Sequence, residues 1–181
     1  MQHTFFSVRF QWLRILCVLT LFLVPPLAGA ATLMPSGAPY LSAGAGVFNL
    51  VGAVDNGGYN HTPAEFNVEY QSGFRFYGIG YMLGLLANTD GGVDGYGGLY
   101  ADLALTPHWI LTPEAAVSGY SQGNSKNMGS TFLFRLELGL DYQMDNGGRL
   151  GLKIAHLSNA DIYPRNPGEN ELLVTYSFPL S

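Results

Sequence analysis

His156 and Ser158 stand two residues apart in the run Ile154-Ala155-His156-Leu157-Ser158-Asn159-Ala160. On a β-strand, side chains at i and i+2 point to the same face. Leu150, Leu152 and Ile154 share that face, so an imidazole and a hydroxyl sit at the end of an apolar stripe. A serine hydroxyl is a weak nucleophile until a neighbouring base takes its proton. Imidazole takes and returns a proton near neutral pH. Such a pair suits ester hydrolysis. It needs a third polar group to orient the ring and a donor for the developing oxyanion, an effect worth roughly 3–4 kcal/mol in other enzymes. The side-chain amide of Asn159, next to the serine, is a candidate for that donor. The spacing alone is a weak signal, because a histidine near a strand end is often just an interfacial polar residue.

The elements that would position this pair are strands. Phe66, Val68 and Tyr70 alternate with Asn67, Glu69 and Gln71. The run from Phe132 to Tyr142, the run from Arg149 to Ile154 and the run from Leu172 to Leu180 alternate in the same way. This is the period-two pattern of a β-strand with two unlike faces. Four weaker segments, at about 39–51, 74–86, 95–105 and 108–118, bring the count to eight. An even count and strands of about ten residues suit a bacterial outer-membrane barrel. The residues between the apolar ones include Glu69, Arg75, Asp102, Glu114, Arg135, Glu137, Asp141 and Lys153. They are few and of both signs, as expected for side chains that pair inside a small, filled barrel. A soluble sandwich would alternate too, with its apolar face inside.

The connections distinguish the two ends. Long or medium stretches fall at 52–63, 87–94, 119–129 and 159–168, and tight turns at Ser72-Gly73, Thr106-Pro107 and Asp145-Asn146-Gly147-Gly148. Outer-membrane barrels place long loops outside and short turns in the periplasm. His156 and Ser158 then lie at the outer end of the seventh strand, on the lipid-facing side, where the active site would face the outer leaflet.

Residues 1–30 read as a cleaved signal peptide: Arg9 and Arg14, an apolar core from Ile15 to Val24, then Ala28-Gly29-Ala30. Residues 31–181 form one domain, a multi-pass barrel. The single cysteine, Cys17, lies in the leader, so the mature chain has neither a disulfide nor a thiolate metal site. A net charge of −5 argues against a nucleic-acid partner. Trp109 and the tyrosines fit interfacial aromatic girdles. His61 and His108 lack metal-ligand spacing, and Asp90-Gly91-Gly92-Val93-Asp94 reads as a glycine turn rather than a calcium loop.

The run His156-Leu157-Ser158-Asn159-Ala160, followed by Asn166-Pro167-Gly168 and a last strand, resembles the signature of the PagL-type lipid A deacylases. The specific part of the likeness is confined to about residues 149–178. It implies an eight-stranded antiparallel transmembrane β-barrel of the outer membrane that hydrolyses the ester-linked 3-hydroxyacyl chain at the 3-position of lipid A. It implies lipopolysaccharide in outer-membrane lipid as the substrate, no cofactor and no metal, and a monomer or homodimer. His156 would be the base, Ser158 the nucleophile and Asn159 part of the oxyanion hole. One position departs from the pattern. Where the family carries a glutamate two residues after the glycine, this chain has Asn170, between Glu169 and Glu171. Parity puts Asn170 on the outward face. An asparagine oxygen still accepts the imidazole N–H, as in Cys-His-Asn sites, but it adds no charge. A bulge after Gly168 would instead bring in Glu169 or Glu171. Two rivals stand beside the deacylase: an esterase acting on a phospholipid, and a non-catalytic structural or adhesive barrel.

Overall fold

The structure is a computed structural model that describes residues 31–51 and 58–180. The expected signal peptide and residues 52–57 of the first loop lie outside the described residues. Eight antiparallel strands close into a barrel: β1 Tyr40–Val47, β2 Ala64–Gln71, β3 Ile79–Asn88, β4 Val93–Ala101, β5 Trp109–Ser121, β6 Phe132–Gln143, β7 Arg149–Ser158 and β8 Glu169–Pro179. Each strand pairs with the next, and β8 pairs back onto β1 from Leu172↔Val47 to Pro179↔Tyr40, which closes the sheet. A further two-residue pairing, Thr32–Leu33 with Leu103–Ala104, ties the N-terminal segment to the short-turn end.

The alternation in the sequence is the alternation of the barrel wall. On β3 the pattern runs exposed, buried, exposed without a break from Ile79 to Asn88. Outside lie Leu83, Leu85, Leu99, Val117, Leu136, Leu152 and Val174. Closing the sheet satisfies every backbone ladder, which is what lets it sit in hydrocarbon. Exposed Trp109, Tyr142, Tyr81, Phe74, Phe76 and Tyr77 ring the short-turn end, where amphipathic rings meet the membrane interface.

The interior is filled. Near the short turns Asp102 takes both Arg75 (2.7 Å) and Arg149 (2.9 Å). Midway, Lys153 Nζ lies 2.7–2.9 Å from Glu69, Glu114 and Glu137. Those three carboxylates converge as a metal site's would, and the Lys153 ammonium occupies their centre. Above them Arg135 binds Glu137 and Glu171, each at 2.6 Å. Toward the loops an apolar cluster of Phe48, Leu86, Tyr120, Met128, Leu133 and Leu157 closes the lumen.

Several boundaries differ from the sequence expectation; the loop expected at 87–94 shrinks to 89–92, because β3 runs to Asn88 and β4 starts at Val93. Strand β3 starts at Ile79, not near residue 74, because 72–78 form a turn with Tyr77 at φ 51°. Phe74 and Phe76 alternate with Arg75 there because the rings face out while Arg75 reaches Asp102 inside. Strand β1 ends at Val47: Phe48 keeps the inward parity and caps the lumen, and Asn49, at φ 56°, breaks the extended run. Strand β5 runs on to Ser121, past the expected loop start at Gly119. Its outward residues there, Gly119 and Ser121, carry no apolar signal.

Candidate active site

Strand β7 presents His156 and Ser158 on the outer face, His156 exposed and Ser158 half-buried. Parity does this: Lys153, Ala155 and Leu157 between and around them face the lumen and are buried. Cα atoms at i and i+2 of a strand are about 6.7 Å apart, a span an imidazole can bridge to a hydroxyl. Across the ladders, His156 pairs with Leu136 of β6 and Asn170 of β8, and Ser158 pairs with Phe134. Phe134 in turn packs edge-on to Phe132, ring centroids 5.2 Å apart. A hollow of about 390 Å³ opens beyond Phe132, lined also by Gly119, Thr131 and Tyr163.

The ring of His156 is oriented by Asn170. Nδ1 lies 3.0 Å from Asn170 Oδ1. The amide oxygen can only accept, so Nδ1 donates in this contact, and the neutral ring held this way keeps its lone pair on Nε2. Gly168 sits against the Cε1–Nε2 edge of the ring. A Cβ there would lie 3.2 Å from His156 Cε1 and 3.6 Å from Nε2, and Gly168 has φ +58°. Both the positive φ and the ring's closeness call for glycine.

Glu169 and Glu171 point the other way. Both are buried in the lumen; Glu171 binds Arg135, and Glu169 Oε2 accepts the Asn49 N–H at 3.0 Å. No bulge displaces them, for β8 pairs in continuous register from Glu169↔Leu157 through Ser177↔Arg149. The alternative that one of them meets His156 is therefore corrected: a register with even spacing keeps the two glutamates inside and Asn170 outside.

Asn159 also departs from expectation. It is fully buried, on the inward parity of Ala155 and Leu157. Its Nδ2 donates to Met128 O (3.2 Å) and Arg165 O (2.6 Å), so both amide hydrogens are engaged. Its Oδ1 accepts the Asp161 N–H at 3.1 Å, and its own N–H goes to Asn166 Oδ1 at 3.0 Å. The side chain fixes the strand end and is not directed outward as an oxyanion donor. The turn it fixes is unusual: Ala160 and Asp161 both have positive φ, 53° and 60°. Among the hydrogen bonds of the described residues, none uses the Ala160 N–H.

Among the described residues, the other two histidines make scaffold contacts. His108 stacks on Tyr142 and bonds the Gln143 carbonyl. His61 and Tyr59 both contact Asp90 Oδ2, at 3.1 and 2.8 Å, and Gly91 turns at φ +83°. The sequence reading did not include Asn49, Lys126 and Met128, which buttress the site from neighbouring loops. Their role depends on contacts between loops far apart in the chain, which no local pattern signals.

Comparison with known proteins points the same way. Residues 81–179 match the family described as Lipid A 3-O-deacylase (PagL). The Lipid A deacylase PagL of Bordetella bronchiseptica (strain ATCC BAA-588 / NCTC 13252 / RB50) is 38% identical over 53 residues. That stretch is 29% of this chain and 30% of the relative, so the match spans under a third of the relative's length. Among solved structures, the outer membrane enzyme PagL has a TM-score of 0.59 at 15% identity, covering 78% of this chain and 99% of that one. Neisserial surface protein A has a TM-score of 0.56 at 11% identity, over 84% and 100%. A de novo designed transmembrane β-barrel scores 0.54 at 10% identity, over 81% and 100%. At these identities the structural likeness carries the barrel and not the chemistry.

Proposed function

The chain belongs to the PagL family of lipid A 3-O-deacylases, and on that premise we propose that it is an outer-membrane serine esterase that removes the 3-hydroxyacyl chain ester-linked at the 3-position of lipid A. The observation that carries the reading is the His156 Nδ1–Asn170 Oδ1 contact of 3.0 Å, made on the outer wall two residues from Ser158.

In this reading Ser158 Oγ attacks the ester carbonyl carbon while His156 Nε2 takes its proton. The tetrahedral oxyanion is met by a backbone N–H of the 159–161 turn, with Ala160 as the candidate donor, and Asn159 contributes by holding that turn. The carbonyl re-forms, the bond to the sugar oxygen breaks, and the imidazolium returns the proton to that oxygen. Water, deprotonated by His156, then attacks the acyl-serine; the bond to Ser158 Oγ breaks, the imidazolium returns the proton to Oγ, and a 3-hydroxy fatty acid leaves. Asn170 selects the tautomer. It brings no negative charge to the imidazolium, so the enzyme is slower than one with a carboxylate there.

A site on the outer wall near the loop end meets a lipid whose esters lie where headgroup and acyl chain join. With the loops outside, that lipid is in the outer leaflet, which is the leaflet of lipopolysaccharide. Mass spectrometry of lipid A from cells expressing the wild type or Ser158→Ala tests this. Loss of one 3-hydroxyacyl chain with the wild type alone is the expected result. A change confined to phospholipids, or no change in either lipid, overturns it.

A further inference from the structure

Asn170 is itself held from outside β8. The Leu50 N–H donates to the Asn170 carbonyl at 2.8 Å, and the Asn49 N–H donates to Glu169 Oε2 at 3.0 Å. The β1–β2 loop thus grips the first two residues of β8. Asn49 is almost fully buried and sits in the left-handed region, at φ 56°, which asparagine tolerates better than other residues with a Cβ.

Each of its four polar atoms is engaged. Nδ2 donates to the His61 carbonyl at 2.9 Å, and the Asn49 carbonyl accepts from Thr62 Oγ1 at 3.3 Å. Oδ1 accepts from the buried Lys126 Nζ at 2.9 Å. One residue therefore joins the two limbs of the β1–β2 loop, the β5–β6 loop and the start of β8. The β5–β6 loop also receives Asn159 Nδ2 at the Met128 carbonyl. The strand ends that carry Ser158 and Asn170 are thus referenced to the same loop.

We infer that Asn49 is a positioning residue for the deacylation: it seats the β1–β2 loop on β8 so that Asn170 presents its oxygen to His156. This rests on the reading of His156, Ser158 and Asn170 given above. Asn49 touches neither the ring nor the serine, so it acts through Asn170. A purely structural brace would weaken the barrel whatever occupies position 170. A positioning residue loses its effect once Asn170 is gone, because residues acting through one contact are non-additive.

The experiment is a double-mutant cycle on the detergent-solubilised protein with lipid A as substrate. Asn49→Gly keeps the positive φ and removes the side chain. In the otherwise wild-type protein it should lower kcat by about tenfold or more, since misplacement of about 1 Å can cost 10²-fold, and leave KM within about twofold. In the Asn170→Ala background it should add no further loss of kcat. An equal loss in both backgrounds overturns the proposal, as does an unchanged kcat in the first. Folding is checked by the heat-modifiable electrophoretic shift of a closed barrel. Should Asn49→Gly not fold, Lys126→Met removes the ammonium that Asn49 accepts from, and the same non-additivity with Asn170→Ala is required. Ser158→Ala separates the two levels. If it remains active, the reading of the site fails; if it is inert while the cycle is additive, only the positioning role fails.

Discussion

The proposed chemistry rests on which way three neighbouring side chains turn. His156, Ser158 and Asn170 were legible because strand parity is strict: His156 and Asn170 are cross-strand partners on the outer face, and Glu169 and Glu171 must then face in. The same parity applies to Asn159, whose adjacency to Ser158 suggested a donor although adjacency in a strand means opposite faces. The contact of Gly168 with the ring was not legible, since it depends on the path of the 159–168 loop. Two outcomes follow. Gly168→Ala places a methyl 3.2 Å from His156 Cε1 and strains a left-handed residue by about 1–2 kcal/mol. It should cut kcat at least about tenfold, a loss of 1.4 kcal/mol in barrier terms, while the barrel still folds, as a gel shift beside the turnover assay will show. Asn170→Glu adds a carboxylate for the imidazolium and should raise kcat, by roughly tenfold for each 1.4 kcal/mol gained, whereas Asn170→Ala should lower it. An Asn170→Glu enzyme slower than Asn170→Ala would mean that position 170 does not orient the ring.

At the scale of the elements, the strands with a continuous apolar face were readable and the exceptions have physical causes. The 72–78 turn imitates a strand because its aromatics belong to the interfacial girdle. The top of β5 hides because glycine and serine face out there. The wall's two faces make opposite demands on charge. Leu152 and Val174 are cross-strand partners, both exposed on the outer face. Leu152→Arg should cost about 2–4 kcal/mol if it lies at the bilayer midplane, read as a lower midpoint in urea titrations of folding into vesicles. A conservative Leu152→Ile change should leave the midpoint nearly unmoved.

The described barrel has a filled interior, and in the proposed reading its working surface is its outside. Its interior was predictable in kind, as few charges of mixed sign, but not in its pairings, because Lys153, Glu69 and Glu114 come from three strands far apart in sequence. Lys153→Met leaves buried carboxylates without their cation, and breaking such a pair costs about 3–5 kcal/mol, which a shifted unfolding midpoint will report. With Phe48, Met128 and Leu157 closing the loop end, the barrel should show no steady conductance in planar bilayers. An open channel there would contradict the packed lumen. The central claim is tested most directly by incubating the purified protein with lipid A and measuring free 3-hydroxy fatty acid. The account predicts release by the wild type, matched mole for mole by lipid A that has lost its 3-O-acyl chain, and none by Ser158→Ala. Release at an undiminished rate from the Ser158→Ala protein, or none from the folded wild type, would contradict it.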